Sequence, residues 1–452
     1  MNKIFKVIWS KSKQCYIVVS EIAKNKTGKK KIVVAGIFAA LSLIGHLQPV
    51  QAIDGAGDKA GFSNAASGVN FDSTKGIAIG LKNGDKTSAN GNVATVAIGA
   101  HSNASGSSSV AIGGAVVNGA GAIGLGWSTA NGDNSVALGG TGSTIANGKN
   151  AFAASGGNAN GESATAIGSS AIADGRGGVA VGWNAESKVN AVGIGFNAKA
   201  KANNTVAIGV EANNDKVNAI SNNYSSVSVG VATRARAVGS MAMGVSADAS
   251  GKYSIALGSG NVSGDYTATA NYPKATGEKA IAIGYNSNSS NTGATAIGAD
   301  SSATNDRALA VGVNAKATGK DSVAVGSVEG GTVGLGFASR IDDNTGVVQT
   351  IRNINVATTA DGDNAVAVGH YANAMNSGVA LGQNTLAATG GVAIGKGVFE
   401  DTNNVNAGGT VIGQDSTVTG LYSLAVGRYT FASGSTSMAM GYDASAKGNY
   451  AV

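Results

Sequence analysis

One tetrapeptide returns along almost the whole chain and constrains its fold more than any other feature. It consists of an aliphatic residue, a small residue, a second aliphatic residue and Gly, as in Val96-Ala97-Ile98-Gly99 and Leu424-Ala425-Val426-Gly427. Its glycines usually recur at one fixed interval, as from Gly284 to Gly298 to Gly312. A short fixed period predicts a stack of similar coils instead of a globular enzyme core.

The composition agrees with such an array. The chain of 452 residues contains 70 Gly and only 2 Pro, and 13% of its residues are charged. No Gly-X-Y triplet persists, which excludes collagen, and Val and Ile recur in register with Gly, which excludes a disordered linker.

The net charge of +6 belongs to the first part of the chain. Residues 1–52 hold nine of the 32 basic residues and one of the 26 acidic ones, which leaves 23 basic and 25 acidic residues in the remainder. The basic pI therefore does not indicate a nucleic-acid-binding surface, and we expect no nucleic-acid partner. The only cysteine, Cys15, lies in the same leader, so no disulfide framework is expected.

Residues 29–52 read as a secretory signal peptide. Lys29-Lys30-Lys31 precedes an apolar run from 32 to 47, and Val50-Gln51-Ala52 supplies a small-residue cleavage site. We predict cleavage between Ala52 and Ile53. The apolar run is short for a membrane span, and an uncleaved anchor is the alternative.

A family resemblance rests on the leader and on the repeat together. The basic, aromatic segment 1–24 resembles the extended signal peptide region of Gram-negative autotransporters. The repeat, best matched by Asn134-Ser135-Val136-Ala137-Leu138-Gly139, resembles the head of the trimeric autotransporter adhesins, the YadA-like family. The resemblance implies an all-β fold: a left-handed parallel β-roll (solenoid) of 14-residue coils, with three identical chains around one axis.

Each coil is predicted to contain two short strands with opposite faces. In the first strand Val323 and Val325 point one way and Ala324 the other. In the second strand Lys316 lies between two alanines, so we expect Lys316 to face water and the alanines to face Val and Ile inside the coil. The alanines of the first strand would then form an outer row that admits a neighbouring chain.

The predicted organisation has five parts: an extended signal peptide at 1–52, a lead-in segment at 53–76, head repeats at 77–326, an insertion at 327–365 and a second run of repeats at 366–452. Within that insertion, Ile351 to Ala357 resembles the neck segment of these adhesins. The insertion has two possible interpretations: a neck-like insert between two heads, or a plain surface loop. Smaller insertions are predicted at 210–226 and 259–280.

No catalytic, metal or cofactor site is predicted. Gly119 to Gly124 spells a dinucleotide fingerprint, but no amphipathic helix follows it. His101 and His370 have no cysteine partners for zinc and no arrangement for a catalytic triad. Asp342-Asp343 fits a solvated turn better than a calcium site.

The candidate adhesive surface is the repeat itself, from Asn134 to Gly139, together with two aromatic residues. Trp127 and Trp183 each follow the glycine of a repeat, which predicts exposed positions at a coil turn. Two roles are possible for these tryptophans: an adhesive contact, or packing against the next coil.

We expect a non-enzymatic adhesin head at the bacterial cell surface or outer membrane. The resemblance implies a homotrimer that binds extracellular-matrix proteins such as collagen, host cells or sister cells. The alternatives are a polysaccharide-acting or ice-binding β-solenoid and a spacer that carries a distal binding domain. The sequence stops at Val452, where a further Gly would be due at 455, and neither heptads nor a strand set for a membrane anchor precede it. We therefore interpret it as a fragment of a longer adhesin or as a truncated gene product, with membrane anchoring only through a C-terminal region absent from this sequence.

Overall fold

The computed structural model describes two units, Met1–Ser63 and Asn64–Val452. The residues that it describes are 5–10, 15–20, 69–72, 76–79, 87–90, 94–139, 144–211, 213–214, 225–261, 271–327, 336–341, 348–354, 357–400 and 408–452. In the first unit, Phe5–Ser10 pairs with Cys15–Ser20 as an antiparallel hairpin. The predicted cleavage site at Ala52 and Ile53 lies outside the described residues, as do Asp342 and Asp343.

The second unit is a parallel β-solenoid of about 14-residue coils. Each coil contributes one strand to each of two sheets, which we call sheet 1 and sheet 2. Sheet 1 contains the tetrapeptides. Its parallel strands in the described part of the chain are Gly76–Ile79, Thr95–Ile98, Val110–Ile112, Ile123–Leu125, Val136–Leu138, Phe152–Ala154, Thr165–Ile167, Val179–Val181, Val192–Ile194, Val206–Ile208, Val227–Val231, Met241–Val245, Ile255–Ser259, Ile281–Ile283, Thr295–Ile297, Leu309–Val311, Val323–Val325, Val366–Val368, Val379–Leu381, Val392–Lys396, Thr410–Gln414, Leu424–Arg428 and Met438–Tyr442.

Sheet 2 is built from shorter strands, most of them two residues long. Its described strands are Ser88–Ala89, Asn103–Ala104, Val116–Val117, Ser128–Ala130, Thr144–Ala146, Asn158–Ala159, Ile172–Ala173, Glu186–Ser187, Lys199–Ala200, Asn213–Asn214, Arg234–Ala235, Asp248–Ala249, Lys274–Ala275, Asn288–Ser289, Ser302–Ala303, Lys316–Ala317, Thr359–Asp361, Asn373–Met375, Leu386–Ala387, Phe399–Glu400, Thr417–Val418, Phe431–Ala432 and Ser445–Ala446. A further strand, Val69–Asp72, lies antiparallel to Gly76–Ile79 at the start of sheet 1.

Insertions leave the stack without changing its register. Leu309 pairs with Val323 one ordinary coil later, and Val323 pairs with Val366 across the insertion at 327–365. Within that insertion Gly336–Ile341 and Val348–Ile354 form a separate antiparallel hairpin. The coils on either side therefore follow each other directly, so the two runs of repeats share one continuous sheet.

The interior of the coil consists almost entirely of alanine. Ala310 and Ala324 of sheet 1 and Ala303 and Ala317 of sheet 2 are all 0% exposed and belong to one core cluster. Turn hydroxyl groups complete this interior: the Oγ of Ser322 donates to the carbonyl oxygen of Gly319 at 2.6 Å. The hydroxyl is therefore buried with a hydrogen-bond partner, which avoids the cost of an unsatisfied polar group.

The predicted orientation of the sheet 1 strands is wrong. Ala324 and its equivalents Ala78, Ala97, Ala111, Ala256 and Ala282 are buried in the coil, whereas Val323 and Val325 point outward and remain half-buried. Ala324 instead faces the alanines of sheet 2, which were correctly expected to point inward. The turns of so short a coil are tight, so the space between the two sheets is filled mostly by alanine. Valine enters it at a few positions, such as Val411 and Val117, and a Cβ at Gly124 would lie 2.6 Å from the Cγ2 of Val117.

Glycines in the tetrapeptide have both a conformational and a steric role. Gly244 has φ of 120°, in the region that favours glycine, and a Cβ there would lie 2.1 Å from the carbonyl oxygen of Gly258 in the next coil. Any side chain would therefore separate neighbouring coils. The repeated Gly keeps each corner of the solenoid in contact with the next.

A ladder of side-chain amides runs along the turn that follows sheet 2. Asn118, Asn131 and Asn147 each donate Nδ2 to the Oδ1 of the next asparagine at 2.7 Å, and Asn160 donates to Asp174 at 2.8 Å. The Nζ of Lys188 ends the ladder, 2.7 Å from the Oδ2 of Asp174. Burial alone would raise the pKa of Asp174, but hydrogen bonds from Lys188 and Asn160 and the Lys188 charge lower it below its ordinary value.

We expect Asn147→Ala to loosen the coils on both sides of it. The substitution removes one bond donated by Asn147 and one that it accepts, each contributing about 0.5–1.5 kcal/mol. Amide hydrogen exchange between 131 and 160 should accelerate about tenfold, as a change near 1.4 kcal/mol implies. Lys149→Ala, an exposed substitution in the same turn, is the control and should leave exchange unchanged. Equal exchange in both variants would refute a stabilising ladder.

Candidate interaction surfaces

The outward face of sheet 1 is an apolar stripe that runs the length of the stack. Two side chains per coil form it, and nearly all are Val, Ile, Leu or Met. Its exposed members include Ile112, Ile123, Leu125, Ile194, Ile208, Met243, Ile297, Val368 and Ile412, each between 36% and 40% exposed. Isolated monomers rarely expose a continuous apolar patch above roughly a few hundred Å², so this stripe has the character of an interface.

The outward face of sheet 2 is mostly polar, with apolar residues such as Val116, Ile145, Ile172 and Phe431 at some levels, and it carries ion pairs between consecutive coils. Lys199 contacts Glu186 of the preceding coil. Arg236 places Nη2 2.7 Å from the Oδ2 of Asp248, and Arg234 places Nε 3.7 Å from it. Asp248 lies between two alanines as Lys316 does, so the same alternation predicts that Asp248 faces water. That prediction is wrong: Asp248 is only 7% exposed and contacts these two arginines.

Only some residues of the candidate repeat surface from Asn134 to Gly139 face outward. Ser135 and Ala137 are 0% exposed and are not available for contact. Val136 and Leu138 lie in the apolar stripe, and Asn134 is exposed at the turn with φ of 54°. The tetrapeptide therefore contributes its aliphatic residues to the surface and its small residues to the interior.

The two candidate tryptophans occupy coil corners at the end of sheet 1 strands. Trp127 is 52% and Trp183 51% exposed. Trp127 lies beside His101, with ring centroids 5.5 Å apart, and Trp183 stacks on Phe196 at 4.9 Å with 17° between the ring planes. Each tryptophan is therefore about half exposed and also packs against a ring from another coil.

A row of polar side chains next to Trp183 was not singled out from the sequence. Asn184 donates to Asn197 at 2.8 Å, and Asn197 donates to the two carboxylate oxygens of Glu211 at 2.7 and 2.6 Å. The signal was present in the spacing: Asn184, Asn197 and Glu211 follow one another at the coil period, as do Trp183 and Phe196. Residues at that spacing share one corner of a solenoid.

Among the described residues, no group of three or more His, Cys, Asp and Glu side chains is placed to hold a metal ion. His101 and His370 lie in separate corners, beside Trp127 and Tyr371 respectively. The glycine-rich segment 119–124 forms a coil turn that leads into the strand Ile123–Leu125, not into a helix. Within the part of the chain that the structure describes, no helix is long and apolar enough to cross a membrane.

These features define the class: an extended leader followed by a repeat-built parallel β-solenoid. The model for the extended signal peptide of type V secretion systems matches residues 1–46. The YadA head domain repeat matches residues 92–115, 118–141, 159–185, 187–212, 235–261, 275–301, 303–327, 356–374, 406–430 and 432–452. No curated protein matches the chain.

The head-repeat matches together cover more than half of the chain. The chain belongs to the trimeric autotransporter adhesins, the YadA-like family. Members of this family are generally non-enzymatic, and the leader and the family together indicate a secreted, surface-exposed protein.

Proposed function

We propose that the chain is the head of a homotrimeric adhesin in which three left-handed rolls pack their sheet 1 faces around one axis. The apolar stripe is the observation that carries this proposal. An alanine interior buries little apolar surface per coil, whereas association of three chains covers Val and Ile side chains along every coil. Sheet 2 and the corners then face outward.

The adhesive surface is the outer strip of the trimer, and its partners are extracellular-matrix proteins such as collagen, host cells or sister cells. The face of sheet 2, polar at most coils, recurs along the stack and would be tripled by the symmetry of a trimer, which supports multivalent binding. We further propose the bacterial outer membrane as the site of display, the cleavage between Ala52 and Ile53, and the division into 77–326, 327–365 and 366–452. The register of Val323 with Val366 supports 327–365 as a looped insertion in one head.

Two deletions test whether binding is distributed along the head. Removing residues 328–356 brings Val366 as close in sequence to Val323 as Val323 is to Leu309, so a coil of ordinary length remains. Removing residues 260–271 does the same between Ile255 and Ile281. Both variants should fold, because every strand of the two sheets keeps its partner.

Beads that carry the full chain should adhere to collagen-coated surfaces and to host cells, and each deletion should reduce adhesion only partly. Beads with the leader segment 1–52 alone provide the control. If one deletion variant folds but does not adhere at all, binding depends on a local site in the deleted insertion and is not distributed along the head. Absence of adhesion by the undeleted trimer to matrix, host cells and sister cells would contradict the adhesin function.

A further inference from the structure

One corner of the solenoid combines an aromatic platform with a row of hydrogen-bonding side chains. Trp183 and Phe196 stack at 4.9 Å, which matches the rise of about 4.8 Å between neighbouring strands. Both rings are about half exposed, at 51% and 45%. Each follows a corner glycine, and a Cβ at Gly182 would lie 2.5 Å from the carbonyl oxygen of Gly195. The two rings are therefore held at coil spacing by the backbone.

The polar row occupies the positions that follow these rings at the same corner, because each member comes directly after an aromatic or apolar residue in the sequence. Asn184 follows Trp183, Asn197 follows Phe196, and Glu211 follows Val210. The amides all donate in one direction, and the row ends on the Glu211 carboxylate. Lys199 donates Nζ to the backbone carbonyl oxygen of Asn184 at 2.8 Å, which fixes the turn below the row.

The row retains capacity for a ligand. An asparagine amide carries two N–H donors, and Asn184 uses one of them on Asn197. A carboxylate offers about four lone-pair sites, and Asn197 occupies two at Glu211. The corner thus carries two stacked, exposed rings and, at the chain positions that follow them, a line of donors that ends in a strong acceptor.

We propose that the corner formed by Trp183, Phe196, Asn184, Asn197 and Glu211 binds a neutral oligosaccharide. A pyranose ring has an apolar C–H face that can stack on an aromatic ring, and hydroxyl groups at its edge that both donate and accept hydrogen bonds. Binding sites for small molecules commonly pair aromatic walls with a few placed polar groups. The inference rests on the proposed adhesin function and names a ligand class for one part of its surface.

A proline-rich peptide is the competing occupant, because proline rings also stack on aromatic side chains. Its backbone supplies carbonyl acceptors but few N–H donors, since proline has none. The Glu211 carboxylate would then face a ligand with few hydrogen atoms to donate, whereas the hydroxyl groups of a sugar supply several on each ring. The acceptor at the end of the row therefore favours the sugar.

Tryptophan fluorescence can follow this corner alone. The chain has three tryptophans, so Trp9→Phe together with Trp127→Phe leaves Trp183 as the only one. In this background the emission of Trp183 should be quenched by acrylamide and should shift to shorter wavelength as sugar covers it. The titrants are chitotriose, cellotriose, maltotriose and a (Pro-Pro-Gly)10 peptide, which has no hydroxyl donors, each added to the full chain.

We expect at least one trisaccharide to bind, and Trp183→Ala to weaken its binding about tenfold or more by calorimetry, as for a single aromatic anchor. Glu211→Gln preserves shape but removes the charged acceptor, and should weaken binding several-fold. Tyr253→Ala is the matched control: Tyr253 is 50% exposed, close to the 51% of Trp183, but buried Ser254 follows it where Asn184 follows Trp183. It should leave sugar affinity unchanged.

Three results would overturn the sugar site. The first is that acrylamide cannot reach Trp183 in the assembled protein. The second is a response to the peptide with none to the sugars, and the third is an equal loss of affinity in the Tyr253→Ala control. Bead adhesion is measured on the same variants. If the chain adheres but binds none of the sugars, the sugar site is rejected and the adhesin function stands. If the unsubstituted chain does not adhere at all, the adhesin function itself is rejected.

Discussion

Replacing Ala310 with Glu should unfold the coils around it. Ala310 is 0% exposed and pairs with Ala296 and Ala324 in the neighbouring coils, so a carboxylate there would have no water and no cationic partner. Burial of an unpaired charge in this position should lower the free energy of unfolding by roughly 5 kcal/mol. Circular dichroism should show lost β-structure at temperatures where the parent remains folded.

The control for this experiment is Lys316→Glu. Lys316 is exposed on the outer face of sheet 2, where a substitution should change stability by no more than about 0.5 kcal/mol. An Ala310→Glu variant that stays fully folded but separates into single chains would contradict the account. That outcome is expected only if Ala310 lies between chains instead of inside the coil.

The second large effect concerns assembly. The triple substitution Ile283→Asp, Ile297→Asp and Val311→Asp places charges at three consecutive levels of the apolar stripe. Full burial of each of these side chains contributes about 1.5–3 kcal/mol. All three chains of a trimer would lose this contribution to association at the same time. We expect the proteins to dissociate into single chains that retain β-structure, as measured by sedimentation.

A matched control changes the opposite face at the same levels. Asn288→Asp, Ser302→Asp and Lys316→Asp add similar charges to sheet 2, where the proposed trimer is open to solvent. This variant should keep the parent's sedimentation coefficient. If both triple variants sediment like the parent, the stripe does not hold the chains together.

The coil period, the two strands per coil and the inward alanines of sheet 2 could be predicted from the sequence because they follow from spacing. Which face of sheet 1 points into the coil could not be predicted from the spacing. Alternation places Val323 and Val325 on one side and Ala324 on the other, but it does not say which side is inside. Hydrophobicity favours Val inside, but the short turns leave a space between the sheets that is filled mostly by alanine, with valine at few positions such as Val411.

The corner at Trp183 shows a second limit of sequence reasoning. Both tryptophans could be placed at turns, but their neighbours belong to other coils. Neighbouring coils differ in length in this region, as the pairing of Val179 with Val192 and of Val192 with Val206 shows. Only the register of the strands places Phe196 on Trp183 and aligns Asn184 with Glu211.

The central claim is that three chains bury the apolar stripe of sheet 1 against one another. The most direct measurement is the molar mass of the head, residues 53–452, by light scattering during size-exclusion chromatography. The account predicts one species of three times the mass of a single chain, unchanged on dilution across the micromolar range. A folded species with the mass of one chain, and with its stripe open to solvent, would contradict it.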